Sequence, residues 1–327
     1  MISVCMGIYN GEAYIKEQLQ SILDQTLPPD EVILCDDCST DHTRDIVEQF
    51  IQEKDLSGKW QFYRNHENKG YPDNFYYCMS LCRGDYVFLA DQDDIWDRRK
   101  LERMTEVMKK NDHTKVLSCK FGLINEEGSE IHTVMKPTRT KSTGTTRNVS
   151  IADVFYKCEW PGMVMVYAGR WYEDKLSIWR EQKGHMGEYP QVPHDFLLCA
   201  WAAEEKGFCQ LDEELAWHRR HDQNTGKEEH RLARLLNPER KLREIREYIH
   251  ILGLFDSQGI MQTTEGYQAM KHKETIMKER FEALRSGKVS KVLANIRRNR
   301  ADTRFVTAIC DLIISLLFKF ASVCGKI

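Results

Sequence analysis

A short apolar stretch that ends in a cluster of carboxylates constrains this sequence most. Tyr86 to Ala90 have the aromatic and β-branched content of a strand and include no charged residue, which predicts a strand buried on both faces of a mostly parallel sheet. Asp91, Asp93 and Asp94 follow directly. Such carboxylates repel one another unless a cation lies among them, and hard oxygen ligands favour Mg²⁺ or Mn²⁺. A solvated acidic turn is the alternative.

The composition favours a globular intracellular protein. The 327 residues are 41% hydrophobic and carry a formal net charge of −3, which argues against general disorder and against a general nucleic-acid binder. The eleven cysteines are scattered, and no signal peptide precedes the first strand, so we expect a cytoplasmic compartment with free thiols. Cys35 and Cys38 form a CxxC without a second pair at zinc spacing, and small strand-end hydrophobes explain them better than a redox or zinc site.

Strand and helix patterns alternate along the first half of the chain. Apolar strands are predicted at Ile2–Ile8, Glu31–Cys35, Trp60–Tyr63 and Tyr86–Ala90, and helices around Ile15–Leu23, Ile46–Ile51, Phe75–Cys82 and Leu101–Met108. Ser39 or Thr40 could cap the second helix. Leu123–Val149 is predicted to cross the surface, and Gly184–Pro193 to form a mobile loop. The alternation predicts an α/β fold with crossover helices.

Candidate ligand-binding residues follow the ends of the predicted strands. Tyr9 follows the first strand, Asp37 the second, and Asp91 and Asp93 the fourth. Open α/β sheets bind ligands at that edge. Neither GxGxxG nor GxxxxGK[ST] occurs, so a nucleotide would be held through its base by Tyr9 or Asp37 and through its phosphates by metal. A core aromatic is the alternative for Tyr9.

Two further residues follow later in the chain. Asp195 lies in the first turn of a predicted helix that opens at His194, where the helix dipole favours a carboxylate. A simple helix cap is the alternative. His221 could bind a metal, although a lone histidine usually does not.

The sequence resembles the family 2 glycosyltransferases with the GT-A fold. The matching stretches cover roughly residues 1–225: VCMGIYNGEAYIKEQLQSILDQT, ILCDDCSTDHT, ENKGYPDNF, GDYVFLADQDDIWDRRKL, WPGMVMVY, PHDFLL and LDEELAWHRRHDQN. The DQDDIW form is similar to the branch of rhamnosyltransferases of surface polysaccharide synthesis. The resemblance implies a GT-A catalytic domain over 1–225 and a helical C-terminal region over 226–327.

The resemblance also implies roles for individual residues. The nucleotide would be bound by Ile8, Tyr9, Glu12, Asp37 and Asp91, the metal by Asp91, Asp93 and His221, and the proton of the acceptor would be taken by Asp195. Three positions depart from the family pattern. Ile8 replaces a common Thr or Ser and leaves only a backbone contact to the base, His218-Arg219 replaces a Tyr-Arg pair, and Cys38 stands in the DD(G/N)S loop.

The last hundred residues have a different composition. Amphipathic helices are predicted over His230–Phe255 and 265–285. A basic run from Lys288 to Arg304 then precedes an apolar segment, Phe305–Ile327, that Asp311 and Lys319 interrupt. We expect Asp311 and Lys319 to share one face of an amphipathic helix that lies on the inner leaflet of the cell membrane. The alternative is a helix packed on the catalytic domain or on a partner in a homodimer.

The resulting prediction is an inverting, metal-dependent glycosyltransferase at the cytoplasmic membrane face. The donor would be a nucleotide-diphosphate sugar, with rhamnose as the candidate sugar. The acceptor would be a saccharide, expected to be lipid-linked, in cell-surface polysaccharide synthesis. A divalent ion, Mg²⁺ or Mn²⁺, neutralises the leaving diphosphate, and a carboxylate takes the acceptor proton. A nucleotidyltransferase and a non-catalytic scaffold of the same fold are the alternatives.

Overall fold

The computed structural model describes residues 1–131, 143–157, 159–183, 188–221, 237–300 and 305–323. The chain divides into two compact units, Met1–Arg220 and His221–Ile327. The predicted boundary between residues 225 and 226 lies outside the described residues.

The first unit alternates strands and helices, as the sequence predicts. Its elements are β1 (Ile2–Ile8), α1 (Ile15–Leu23), β2 (Glu31–Asp36), α2 (Thr43–Glu53), β3 (Trp60–Arg64), α3 (Tyr71–Leu81), β4 (Tyr86–Ala90), β5 (Ile95–Trp96), α4 (Lys100–Lys110), β6 (Val116–Ile124), β7 (Thr146–Asn148), α5 (Ile151–Lys157), a 3₁₀ turn (Gly162–Val164), β8 (Met165–Ala168), α6 (Gly169–Lys183), α7 (His194–Glu204) and β9 (Phe208–Arg219). This order confirms the predicted α/β class.

The strands form one mixed sheet in the order β3-β2-β1-β4-β8-β6-β9-β5, and β7 pairs with β9. The first four are parallel, with Ile8 opposite Asp36 and Met6 opposite Ala90. The residues that follow β1, β2 and β4 therefore emerge at one edge of the sheet. Beyond β4 the sheet becomes mixed, because β8 runs antiparallel to both β4 and β6.

Continuous burial explains why these strands lie at the centre. Every residue of β2 is buried, and β1 and β4 are buried over nearly their whole lengths. α1 covers the sheet with Leu19 and Ile22, which stand on one face at helical spacing. Burying each such side chain contributes about 1.5–3 kcal/mol. The strands that end at the polar edge of the sheet are thus part of a tightly packed core.

The first unit differs from the sequence prediction in three places. Leu123 belongs to β6, which the sequence analysis missed, and β7 lies within the stretch predicted to cross the surface, of which residues 132–142 are outside the described residues. Residues 184–187 of the predicted mobile loop are also outside them. α2 is preceded by His42 rather than capped by Ser39 or Thr40, because the Ser39 hydroxyl is bonded to Asp36.

The second unit is helical over its described residues, which confirms the predicted helical extension. Its helices are α8 (Pro238–Ser257), α9 (Thr264–Arg285), α10 (Val289–Arg298) and α11 (Phe305–Val323). They share one apolar cluster, to which all four contribute: Ile245, Met277, Ala283, Leu284, Val292 and Ile314. The apolar C-terminal segment is therefore part of a folded helical unit.

The position of Asp311 corrects the prediction for this segment. Its carboxylate is 2% exposed and accepts two hydrogen bonds of 2.7 Å from Nε and Nη2 of Arg280. The expectation that Asp311 belongs to the polar face of an interfacial helix is wrong, because the carboxylate is neutralised inside the helical unit. The side chain of Lys319 lies outside the described part of the structure.

We predict that Asp311→Ala destabilises the second unit by about 3–5 kcal/mol, because it leaves the Arg280 guanidinium buried without its partner. The matched control is the double variant Arg280→Met, Asp311→Leu, which removes both charges and should cost much less. Urea titrations followed by circular dichroism at the helical band measure the difference. Equal losses in the two variants would contradict the prediction.

Candidate active site

A glutamine inside the DQDD motif ties the end of β4 to the end of β1. Gln92 accepts from the backbone N–H of Tyr9 at 2.8 Å and donates to its carbonyl at 2.9 Å. A Cβ at Gly11 would lie 2.6 Å from Oε1 of Gln92, so only glycine leaves room for this clamp. The polar loops after β1 and β4 are therefore fixed against each other.

Asp37, predicted to contact the nucleotide, anchors a loop. Its carboxylate is buried and accepts from Nδ2 of Asn65 and from the backbone N–H groups of Lys69 and Gly70, at 2.8–2.9 Å. A carboxylate has about four acceptor positions, so these three bonds leave room for one further donor. Cys38 follows with φ of 66°, a conformation that favours glycine or asparagine, which explains the residue types usual at this position.

The other predicted nucleotide contacts flank this region. Ile8 is buried at the end of β1, and Tyr9 is 49% exposed, which excludes the alternative that Tyr9 is a core aromatic. The carboxylate of Glu12 accepts a hydrogen bond of 2.9 Å from the backbone N–H of His42, the residue directly before α2. The structure brings Ile8, Tyr9 and Asp37 to one edge of the sheet, and their contacts to a nucleotide stay predictions.

The carboxylates after β4 have contrasting environments. Asp94 is fully buried and accepts from Nδ1 of His218 and from the backbone N–H of Arg219, both at 3.0 Å. Burial and the charges of Asp94, Asp93 and Asp195 raise the pKa of Asp91 well above its usual range. Within the described part of the chain, no donor is hydrogen-bonded to the Asp91 carboxylate. For Asp91, burial and the neighbouring carboxylates thus outweigh the opposing charge of Lys100.

These residues fit a divalent ion. Among the described residues, no group of three or more His, Cys, Asp or Glu side chains forms a complete metal site. Mg²⁺ is commonly held by one or two carboxylates together with substrate phosphates, and Asp91 and Asp93 would supply those two. Lys100 is fully buried over the ring of Trp96, and burial lowers the pKa of its ammonium group to about 8, while its charge partly opposes the rise in the pKa of Asp91.

Asp195 lies in the first turn of α7, as predicted. Its Oδ1 accepts from the backbone N–H of Phe196 at 2.7 Å. Burial raises the pKa of the Asp195 carboxyl to about 6, although backbone hydrogen bonds from Phe196 and Gly162 oppose the shift. A Cβ at Gly162 would lie 3.1 Å from Nε2 of His194 and 3.8 Å from Cβ of Asp195. Glycine thus lets the start of α7 approach the end of β4.

An aromatic group beside Asp195 was missed by the sequence analysis. His194 stacks on Phe75, with ring centroids 4.1 Å apart, and Tyr71 lies 5.4 Å from His194. Tyr71 remains 54% exposed, yet desolvation of its hydroxyl and the charges of Asp195 and Asp91 raise its pKa well above the usual value. The ring of Tyr71 thus lies beside His194 at the start of α7. The sequence signal that could have identified this group is Tyr71 itself, an aromatic residue that begins α3 directly after a polar loop.

His194 is itself buried and neutral. Burial lowers its pKa to about 3, and among the described residues neither ring nitrogen has a hydrogen-bond partner. His221, in contrast, is the first residue of the second unit, and its side chain is buried. Its predicted role as a metal ligand stays a prediction.

Comparison with known proteins identifies the family of the first part of the chain. Residues 3–161 match the family model described as "Glycosyl transferase family 2". This part of the chain belongs to glycosyl transferase family 2. The predicted family is confirmed, while the rhamnosyltransferase branch is not specified by any of the matches.

One sequence relative illustrates the extent of the similarity. The family 2 domain is 38% identical over 108 residues to TuaG of Bacillus subtilis (strain 168), a glycosyltransferase named for teichuronic acid biosynthesis. That match covers 33% of this chain and 42% of TuaG. The chain spans about half or less of the length of the curated relatives it matches.

Solved structures confirm the GT-A fold. Staphylococcus aureus TarS in complex with UDP-GlcNAc is similar over 99% of this chain and 92% of that one, with a TM-score of 0.55 and 17% identity. The mannosyltransferase PcManGT from Pyrobaculum calidifontis, in complex with GDP-Man and Mn²⁺, matches over 99% and 80%, with a TM-score of 0.56 and 14% identity.

We predict that the carboxyl group of Asp195 titrates near pH 6, about two units above an ordinary aspartate. The reason is its burial in the first turn of α7. Carbon-13 NMR of protein labelled at the aspartate carboxyl carbons measures the midpoint, and the resonance absent from Asp195→Asn identifies the group. A midpoint near 4 would show that the carboxylate is well solvated.

Proposed function

We propose that this chain is an inverting, metal-dependent glycosyltransferase. It transfers a sugar from a nucleoside-diphosphate sugar to a saccharide acceptor in the synthesis of a cell-surface polysaccharide. The observation that carries the proposal is that the carboxylates after β4 and the carboxyl group of Asp195 lie at the same edge of the sheet. Asp91, whose pKa is raised by burial and by neighbouring carboxylates, follows β4 together with Asp93, and Asp195, with a raised pKa, begins α7 close to Asp91.

The donor side of the proposal rests on the carboxylates after β4. Asp91 and Asp93 would hold Mg²⁺ or Mn²⁺ together with the donor diphosphate, and the ion supplies charge neutralisation for the leaving group. Tyr9, half exposed, and Asp37, with one acceptor position left, would bind the base and ribose. GDP-Man and Mn²⁺ in the mannosyltransferase structure support a nucleotide-sugar donor and a divalent ion. Rhamnose as the donor sugar rests on the DQDDIW resemblance alone.

The acceptor side rests on Asp195 and its aromatic neighbours. A carboxylate with a pKa of about 6 is a stronger base than an ordinary aspartate and is still deprotonated near neutral pH. It would take the proton of the acceptor hydroxyl, while the exposed ring of Tyr71 offers the apolar surface that a sugar ring packs against. Inversion follows from the family resemblance, and TuaG, named for teichuronic acid biosynthesis, supports a cell-surface polysaccharide.

The test is a screen of nucleoside-diphosphate sugars that includes UDP-GlcNAc, GDP-Man and a rhamnose donor, with Mn²⁺ or Mg²⁺, following release of free nucleoside diphosphate. We expect Asp93→Asn to abolish transfer and to weaken donor binding in the presence of metal. Asp195→Asn should lower the rate by about 10²–10⁴-fold with little change in donor affinity. Asp112→Asn, at an exposed acid outside the site, is the control.

Several outcomes would overturn this proposal. Unchanged turnover by Asp93→Asn, or full activity in excess chelator, would eliminate the metal. Loss of donor binding in Asp195→Asn would make Asp195 a nucleotide contact instead of the base. Transfer of a nucleotidyl group in place of a sugar would establish the alternative enzyme class, and the absence of turnover with every donor would favour a scaffold.

We also propose that the second unit contacts the anionic inner leaflet, where a lipid-linked acceptor would lie. Among the described residues, no helix combines the length and apolar character needed to cross a membrane. α11 nevertheless exposes Ile309, Leu316 and Leu317, which share one face at helical spacing. The neighbouring basic residues Lys288 and Lys291 are exposed as well, and each near an anionic surface would add about 1 kcal/mol.

Sedimentation with phosphatidylglycerol-containing vesicles tests this surface. Leu316→Glu combined with Leu317→Glu should abolish vesicle binding, whereas Tyr267→Glu, at an exposed apolar residue of α9, should not. Wild-type binding should weaken as salt increases. Point variants are preferable to truncation after Arg285, because truncation removes Val292 and Ile314 from the apolar cluster. Unchanged vesicle binding, with loss of a dimer in sedimentation velocity, would assign the surface to a second copy.

A further inference from the structure

Arg219, the last residue of β9, is a fully buried arginine. Removing a guanidinium group from water is unfavourable unless its donors are paired. The hydrogen-bond partners of Arg219 therefore indicate which parts of the structure it stabilises. The sequence analysis noted Arg219 only as part of a departure from the family pattern. In the structure it contacts the main chain of Asp93 and the side chain of Asp94, both of which follow β4.

The guanidinium group joins three separate segments of the first unit. Its Nε donates to the backbone carbonyl of Asp93 at 2.9 Å, and its Nη1 donates to the carbonyl of Glu126 at 2.8 Å. Nη2 pairs with the carboxylate of Glu17 on α1, and the group lies 4.7 Å from the ring centroid of Tyr14. Arg219 thus fixes the main chain at one of the two proposed metal ligands.

The same strand end also holds the next residue of the motif. Asp94 accepts from the backbone N–H of Arg219 and from Nδ1 of His218. β5, directly after the motif, pairs with β9 through Ile95 opposite Trp217. Asp93 lies in the turn directly before Asp94, so the burial of Asp94 and the hydrogen bond from Arg219 to the Asp93 carbonyl both restrain the main chain there.

We propose that Arg219 is a positioning residue that presents Asp93 to the divalent ion. This inference rests on the proposed function, because it takes Asp93 to be a metal ligand. With the Asp93 carbonyl bound and Asp94 buried, the carboxylate of Asp93 is held in place before the ion arrives. Groups that orient metal ligands in this way typically account for 10–100-fold in metal affinity.

Binding of Mn²⁺, followed by electron paramagnetic resonance of the free ion with and without UDP or GDP, tests the proposal. Arg219→Gln should lower Mn²⁺ affinity by about 10–100-fold. Glu17→Gln, which changes only the exposed partner of Arg219, should give a smaller loss of the same sign. The matched control is Arg103→Gln, because Arg103 pairs with Glu213 of the same strand and with Glu106, and its Mn²⁺ affinity should stay at the wild-type value.

Rescue by metal separates positioning from a purely structural role. Excess Mn²⁺ should restore most of the turnover of Arg219→Gln, whereas loss of folded protein cannot be rescued in this way. Wild-type Mn²⁺ affinity in a folded Arg219→Gln variant would overturn the proposal. If that variant does not fold, unchanged affinity in Glu17→Gln overturns it.

The Asp93→Asn variant distinguishes this inference from the proposed function. If the wild type and Asp93→Asn bind Mn²⁺ equally, the metal site itself is wrong, and the positioning role fails with it. If Asp93→Asn loses Mn²⁺ while Arg219→Gln and Glu17→Gln retain it, the metal site stands and only the positioning role is overturned.

Discussion

The cost of taking a carboxylate out of water organises this site. Asp37 is buried and is satisfied by backbone N–H groups and an amide, and Oδ1 of the buried Asp94 accepts from His218 and from a backbone N–H, although burial still raises the pKa of Asp94. Asp91 and Asp195 are desolvated with far less compensation, and their pKa values rise. The first pair stabilises loops, whereas the second pair retains the capacity to bind a cation or a proton. Perturbed carboxylates of this kind cluster where chemistry takes place.

The mixed half of the sheet is what brings these groups together. The parallel half places the ends of β1, β2 and β4 side by side, and β8 continues the sheet directly beside β4. Gly162, just before β8, admits His194 and Asp195 at the start of α7 to the end of β4. β9 then returns past β6 to hold the segment after the DQDD motif. The carboxylates after β4 and Asp195 at the start of α7 are thus brought together by the part of the sheet where the parallel and mixed halves meet.

The second unit follows a different logic. Its four helices bury an apolar cluster together with the Arg280–Asp311 ion pair. Such a pair adds little net stability compared with apolar residues of the same size, because its desolvation offsets its attraction. The pair does favour one orientation of α11, because rotating the helix about its axis would separate Asp311 from Arg280 and leave a buried charge without its partner. That orientation leaves Ile309, Leu316 and Leu317 at the surface.

The sequence by itself determined the α/β class, the family, the strand before the DQDD motif and the place of Asp195 in the first turn of a helix. These features follow from local periodicity, from carboxylates after a buried run and from recurring motifs. Tertiary structure decided the contacts of Gln92, Tyr71, His194 and Arg219, and it placed Asp311 inside a helical unit. Their partners stand tens of residues away, as Asp93 does from Arg219. Burial and pairing at that separation depend on which strands and helices become neighbours, which no local pattern encodes.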